Sequence, residues 1–182
     1  MHPLGVNKII PAAQVMLGDP THVCLVVRDV ERTATAYAHT LGFGPWLVRE
    51  IETAESHGVV QGKPAAYRLK FAYCRRGALA YELVETVSGH PIYQDFLAAH
   101  GEGLHHVGFR GAGALDDELA RWAAAGIEPL MVNRRDDPRY GWAYLDTHGR
   151  FGCILEIVCD PALGWWESLA LATDLRGPLG KV

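Results

Sequence analysis

Two stretches of this chain spell the same plan. THVCLVVRDVERTATAYAHTLGFGP, from Thr21 to Pro45, and HHVGFRGAGALDDELARWAAAGIEP, from His105 to Pro129, align without a gap at a constant shift of 84 residues. His22 falls on His106, Val23 on Val107, Ala36 on Ala120, Gly42 on Gly126 and Pro45 on Pro129. Both read as strand, helix, glycine turn, proline, next strand. An internal duplication restricts the fold more than any composition can, because it asks for two copies of one supersecondary unit that bury their faces together.

The remaining elements follow from local signals. Asp29 offers an N-cap, Glu31 favours the first turn of the helix behind it, and that helix ends before Gly42. Strand-like runs follow near 47–53, 65–73 and 79–86. A connecting helix spans about 91–100, with Pro91 in its first turn and Gly101 after it. The second half repeats the order: strand near 104–110, helix 114–125, strands near 129–133, 140–146 and 153–159. Each half is therefore βαβββ. The expected fold class is α+β, two tandem βαβββ modules forming an open, curled eight-stranded mixed sheet. The expected boundaries are an N-terminal extension over 1–20, a first module over 21–88, a connecting helix within 89–103, a second module over 104–160 and a helical tail over 161–182. One helix covers only one face of a four-stranded sheet, so two such sheets side by side leave a concave face free for a ligand.

Composition excludes several classes. The 182 residues carry a formal net charge of −4, with Lys and Arg spread along the chain, so neither nucleic acid nor an anionic membrane is an expected partner. Nothing approaches the ~18 consecutive apolar residues of a membrane span, and MHPLGVNKIIPAAQVML has no secretion-signal pattern. Cys24, Cys74, Cys153 and Cys159 form no CxxC, and three of them sit in apolar strand-like runs, which reads as buried free thiols in a reducing compartment. The expectation is a soluble, cytoplasmic protein acting on a small molecule.

Strand alternation then sorts the polar residues. In THVCLVV, Val23, Leu25 and Val27 face the helix, and His22, Cys24 and Val26 lie opposite. By the repeat, Val107 and Phe109 match the helix-facing set, so His106 shares the trough face with His22. His105 should point the other way, as a supporting residue. The last strand of each module carries a matching acid: Glu82 in AYELVE and Glu156 in CILEIVCD. A lone histidine at a strand start is usually structural, and a lone strand glutamate is usually a salt-bridged edge residue. Four such groups at duplicated positions on one face are different, because two buried carboxylates are costly unless something positive sits between them. A divalent ion (Zn, Ni, Co, Mn or Fe) held by His22, Glu82, His106 and Glu156 removes that cost and leaves two adjacent positions of an octahedron for substrate or water. Glu85, on the face opposite Glu82, should be solvated.

These residues resemble the vicinal oxygen chelate superfamily, which includes glyoxalase I, methylmalonyl-CoA epimerase, fosfomycin resistance enzymes, extradiol dioxygenases and bleomycin resistance proteins. The resemblance covers about residues 20 to 160. GEGLHHVGF, YELVE and ILEIV are similar to the methylmalonyl-CoA epimerase-like glyoxalase branch, in which the second histidine of the pair binds metal. The resemblance implies metal ligation by the same four residues and a homodimer. It also implies lyase or isomerase chemistry on a small oxygen-rich carbonyl compound through a metal-stabilised enolate. Epimerases place a glutamate in the strand matching AAYRLKFAY, where this chain has Arg68 and Lys70. That difference makes Arg68 a candidate for holding a substrate carboxylate or phosphate. It leaves Glu82 or Glu156 as the catalytic base, as in the glyoxalase pattern. Trp142 and Tyr144 are candidate substrate-binding residues, with Tyr67, Tyr73 and Asp146 as further candidates for the pocket wall. Two other functions fit the superfamily. One is an Fe(II) extradiol-type dioxygenase, which needs only two His and one Glu. The other is a drug-sequestering protein of the bleomycin-resistance kind, for which Trp142, Trp165 and Trp166 would supply stacking surfaces.

Overall fold

A computed structural model describes residues 17–77 and 79–160; the expected tail, with Trp165 and Trp166, lies outside the described residues. The duplicated segments meet at the centre of the sheet. Strand β1 (Pro20–Val26) runs antiparallel to its counterpart β7 (Gly103–Arg110). The first module continues through α1 (Val30–Leu41), β2 (Leu47–Thr53), the short β3 (Gly58–Val60) and β4 (Lys63–Pro64), then β5 (Tyr67–Arg76) and β6 (Leu79–Gly89). Helix α2 (Tyr93–His100) crosses to the second module, which continues from β7 through α3 (Leu115–Ala124), β8 (Pro129–Arg134), β9 (Gly141–Leu145), the single turn α4 (His148–Phe151) and β10 (Ile154–Cys159). All strands join one sheet in the order β2-β5-β6-β1-β7-β10-β9-β8-β3-β4.

The sheet has ten strands, not the eight expected. The extra pair comes from the link 54–66, which leaves the first module and adds β3 to the outer edge of β8. Neither piece is long enough to show a period-2 pattern, so the sequence gives no signal for them. The strand ends on either side of the link are tied to β8. Asn133 on β8 donates from Nδ2 to Thr53 Oγ1 at 3.0 Å and to the Tyr67 hydroxyl at 3.1 Å, so one edge of the sheet is pinned to the far end of the other.

Local chemistry explains the helices. Asp29 caps α1 by accepting from the Arg32 amide at 2.8 Å, and Gly42 ends it in the left-handed region at φ 60°. Glu85, expected in solvent, instead accepts from the Val30 amide at 2.9 Å and so satisfies a second free N–H of the first turn. Its face of β6 lies under α1, which is why a carboxylate there finds a helix end rather than water. Leu25, Val27, Val30, Ala34 and Leu83 pack together beneath α1, while Leu115 and Trp122 of α3 pack on Leu145, Leu155 and Ile157.

The concave side is more filled than a trough of two bare sheets. Val26, Leu69, Tyr73, Tyr93, Met131 and Tyr144 form a third cluster there, with Tyr93 brought in by α2. Cys24, Cys74 and Cys159 are buried free thiols, and Cys153 is half-buried. Among the described residues, no helix is long and apolar enough to cross a membrane.

Candidate metal centre

The four residues selected by the repeat lie in two adjacent rows across the centre of the sheet. One row runs Ala80, His22, Gly108, Glu156; the next runs Glu82, Cys24, His106, Ile154. In each row a histidine on one central strand and a glutamate two strands away flank a small residue, Gly108 or Cys24. The two rows exchange under the pseudo-twofold of the duplication. A Cβ at position 108 would overlap the His22 ring, so the imidazole lies across a gap that only glycine provides. Gly108→Ala is therefore expected to displace His22 and to destabilise the fold by about 1–3 kcal/mol through overpacking, measured as a drop in the denaturation midpoint.

The distances are short. His22 Nε2 lies 3.2 Å from His106 Nε2, 2.8 Å from Glu156 Oε2 and 3.9 Å from Glu82 Oε2. His106 Nε2 is 3.6 Å from the same Glu156 oxygen. The ligand atoms of His22, Glu82 and His106 all lie within 4.8 Å of one another. All four side chains are buried. Glu156 Oε2 has no hydrogen bond of acceptable geometry, so its approach to His22 is a charge contact. Two nitrogens bonded to one ion at about 2.1 Å stand roughly 3.0–3.4 Å apart at octahedral or tetrahedral angles. The imidazole spacing and the orphaned carboxylate oxygen both fit such an ion.

The surroundings orient these donors. His22 Nδ1 is 3.0 Å from Thr21 Oγ1, and His106 Nδ1 is 2.9 Å from His105 Nδ1, so each ring is held on the side away from the shared centre. His105 corrects the alternation argument. Leu25 pairs with Leu104 while Cys24 pairs with His106, which leaves His105 as the extra residue of a β-bulge. The bulge brings its ring onto the buried side, against Tyr93, Phe96 and Tyr144 as well as His106.

Charge in this site is tightly balanced. Burial pushes the Glu82 carboxyl up to about 7; Glu156 reinforces the shift, and His22 and hydrogen bonds from Cys24 and Tyr73 oppose it. Burial alone would lower His22, but the adjacent Glu156 and the nearby Glu82 outweigh it and raise its pKa above the ordinary range. Burial, then His22 and His105, hold His106 well below that range. Burial and the nearby His148 bring His105 down to about 3. His105 and His106 are thus neutral at physiological pH, the form in which an imidazole nitrogen can bind a metal.

A cavity of about 360 Å³ opens onto His22, Glu82 and Glu156. Trp142 and Tyr144, the candidate substrate-binding residues, line it, and so does Tyr73. Arg68 does not. It sits on the outer face of β5, about half exposed, with Nε 3.5 Å from Glu50. The arginines in the cavity wall are Arg49 and Arg135. Arg49 was legible in principle: alternation in LVREIET puts Leu47, Arg49 and Ile51 on one face, and Arg49 pairs with the buried Phe71. Arg135 follows the end of β8 and carries no periodic signal. Tyr67 is buried at the Asn133 tie, and Asp146 is exposed outside the cavity wall.

Solved structures share this fold. A variant of the Streptomyces coelicolor methylmalonyl-CoA epimerase in complex with 2-nitronate-propionyl-CoA superposes with a TM-score of 0.57 at 24% identity, over 80% of this chain and 96% of that one. Methylmalonyl-CoA epimerase from Mycobacterium tuberculosis gives 0.58 at 20% identity, over 85% and 97%. No curated protein matches the sequence. A family profile described as the Glyoxalase/Bleomycin resistance protein/Dioxygenase superfamily matches residues 21–144, more than half of the chain. On that match, the chain belongs to the Glyoxalase/Bleomycin resistance protein/Dioxygenase superfamily.

Proposed function

We propose that this protein is a divalent-metal-dependent lyase or isomerase acting on a small oxygen-rich carbonyl compound. His22, Glu82, His106 and Glu156 would hold the ion. The observation that carries this reading is the pair of Nε2 atoms 3.2 Å apart with an unbonded, buried carboxylate oxygen beside both. When bound, the ion supplies Lewis acidity, polarising a carbonyl and stabilising the enolate left when a neighbouring C–H proton departs.

The chain's own groups supply the rest. Glu156 takes the proton, because it lines the cavity and stands beside both histidines. Glu82 is held by Cys24 and Tyr73 and is better suited to staying in place as a ligand. Trp142 and Tyr144 form part of the wall against which the substrate lies, and the Tyr93 and Tyr144 hydroxyls, 2.6 Å apart, fix that wall to α2. The rings of Tyr93, Phe96 and Tyr144 pack around His105, and Tyr144 also packs on His106.

The test is the pH dependence of metal binding. In the metal-free protein Glu82, with its pKa near 7, keeps its proton in part near neutrality, and His22, whose pKa is raised, holds its proton to higher pH than an ordinary imidazole. An ion must displace those protons, so affinity is expected to rise with pH, about tenfold per unit for each proton released. Titration calorimetry with Co²⁺ or Zn²⁺ at pH 6, 7 and 8, in buffers of different ionisation heat, reads both the slope and the proton count. A flat profile with no proton release would remove these residues as ligands.

One observation favours a second reading. His22, Glu82 and His106 by themselves form a compact set of two imidazoles and one carboxylate, the donor set of Fe(II) oxygenases. Oxygen consumption by the iron-loaded protein with a panel of catechols distinguishes this dioxygenase reading. The proximity of Glu156 to both histidines weighs against it.

A further inference from the structure

Among the described residues, one cation in the cavity wall, the exposed Arg49, has no acidic partner. Of the two arginines in its wall, Arg135 has its guanidinium 3.2 Å from Asp160, which also lines the cavity. Arg49 has no acidic partner among the described residues. Its neighbour Glu50 faces the other side of β2, where it meets Arg68 and Lys70. Arg49 instead stands beside the apolar Ile51 and Phe71 of the cavity wall. A divalent ion would balance Glu82 and Glu156, and Asp160 balances Arg135, which leaves the charge of Arg49.

We propose, on the basis of the metal reading above, that Arg49 binds a carboxylate of the substrate at a distance from the oxygens that meet the metal. The register sets that distance. Glu82 pairs with Tyr73, which pairs with Leu47, and Arg49 lies two residues along from Leu47. Two strand spacings and two residue rises separate the Cα atoms of Glu82 and Arg49 by roughly 12 Å on a flat sheet. The curl of the sheet and the reach of the arginine shorten the gap that a ligand must span. The substrate is therefore an acid whose carboxylate stands several bonds from its chelating oxygens, and malonate-length compounds are too short. A single guanidinium, with no second unpaired cation among the described residues of the wall, matches one carboxylate, which it can grip with two parallel hydrogen bonds.

The probes are malonate, succinate, glutarate and adipate, with propionate as the single-charge control. Each is titrated by calorimetry into the full chain loaded with Co²⁺. A longer diacid is expected to bind at least about tenfold more tightly than propionate or malonate, the scale of one well-formed charged contact. Arg49→Leu should abolish that advantage while leaving propionate binding unchanged, and Arg49→Lys should restore part of it. Equal binding of every acid to the wild type, or an unchanged diacid preference in Arg49→Leu, would overturn the assignment of Arg49 while leaving the metal centre standing. Failure of the wild type to take up Co²⁺, seen before any acid is added, overturns the metal reading and this inference with it.

Discussion

His106→Ala is expected to abolish the rise in thermal stability that a divalent ion gives the wild-type protein, and to lower turnover by about a thousandfold or more. The reason is the position of the ring. Its Nε2 is one of two imidazole nitrogens 3.2 Å apart, and the side chain is fully buried between β1 and β10. An ion present at 100 times its dissociation constant stabilises a fold by about 2.7 kcal/mol. Losing one of four ligands should remove most of that increment. The metal-free variant is the necessary comparison. It loses ring packing against Tyr144 and the contact with His105, so some loss of stability without metal is expected as well. What identifies a ligand is loss of the metal-dependent part, read by melting both proteins with and without Zn²⁺ or Co²⁺. His106→Gln, closer in volume, keeps the test valid if the alanine variant folds poorly.

Glu156→Gln should separate chemistry from metal binding. The amide keeps the size of the side chain and one oxygen for the ion, but it cannot accept a proton. Turnover is expected to fall by about 10²–10⁴, the usual contribution of a positioned general base, with metal affinity reduced much less. Glu82→Gln should give the opposite balance. Its carboxylate already accepts from Cys24 and Tyr73, and its neutral form at pH near 7 is partly populated in the metal-free protein. Comparing kcat with metal content for the two variants assigns the roles. Equal loss of turnover in the two variants, in step with equal loss of metal, would leave the proton to another group.

Much of this arrangement can be read from the sequence, because the duplication does the work. A constant shift places His22 opposite His106, and strand alternation puts both on the side away from the helices. Glu82 and Glu156 follow from the last strand of each module, where a carboxylate interrupts an apolar run. What periodicity does not carry is any departure from the regular ladder. The bulge that turns His105 inward is one extra residue in β7, and nothing in LHHV marks it. The hairpin of β3 and β4 is too short to alternate. The long link that contains it explains why the two glutamates sit at unequal distances from their histidines. Arg68 was attractive as the cation in a strand matching the family's glutamate, but its side chain falls on the outer face of β5. The cavity cations come from β2 and from the turn after β8, positions fixed only once the sheet curls. Glu85 is a similar case: its role as a cap for α1 depends on tertiary packing.

The central claim is that one ion is shared by both halves of the duplication. Anomalous diffraction at the cobalt edge, from crystals of the full chain grown with Co²⁺, tests it most directly. A single strong peak is expected between the two central strands, within about 2.0–2.2 Å of both imidazole Nε2 atoms and bonded to a carboxylate oxygen from each module. A peak bound by only one half, or no peak there with His22 paired to Glu156, would contradict it.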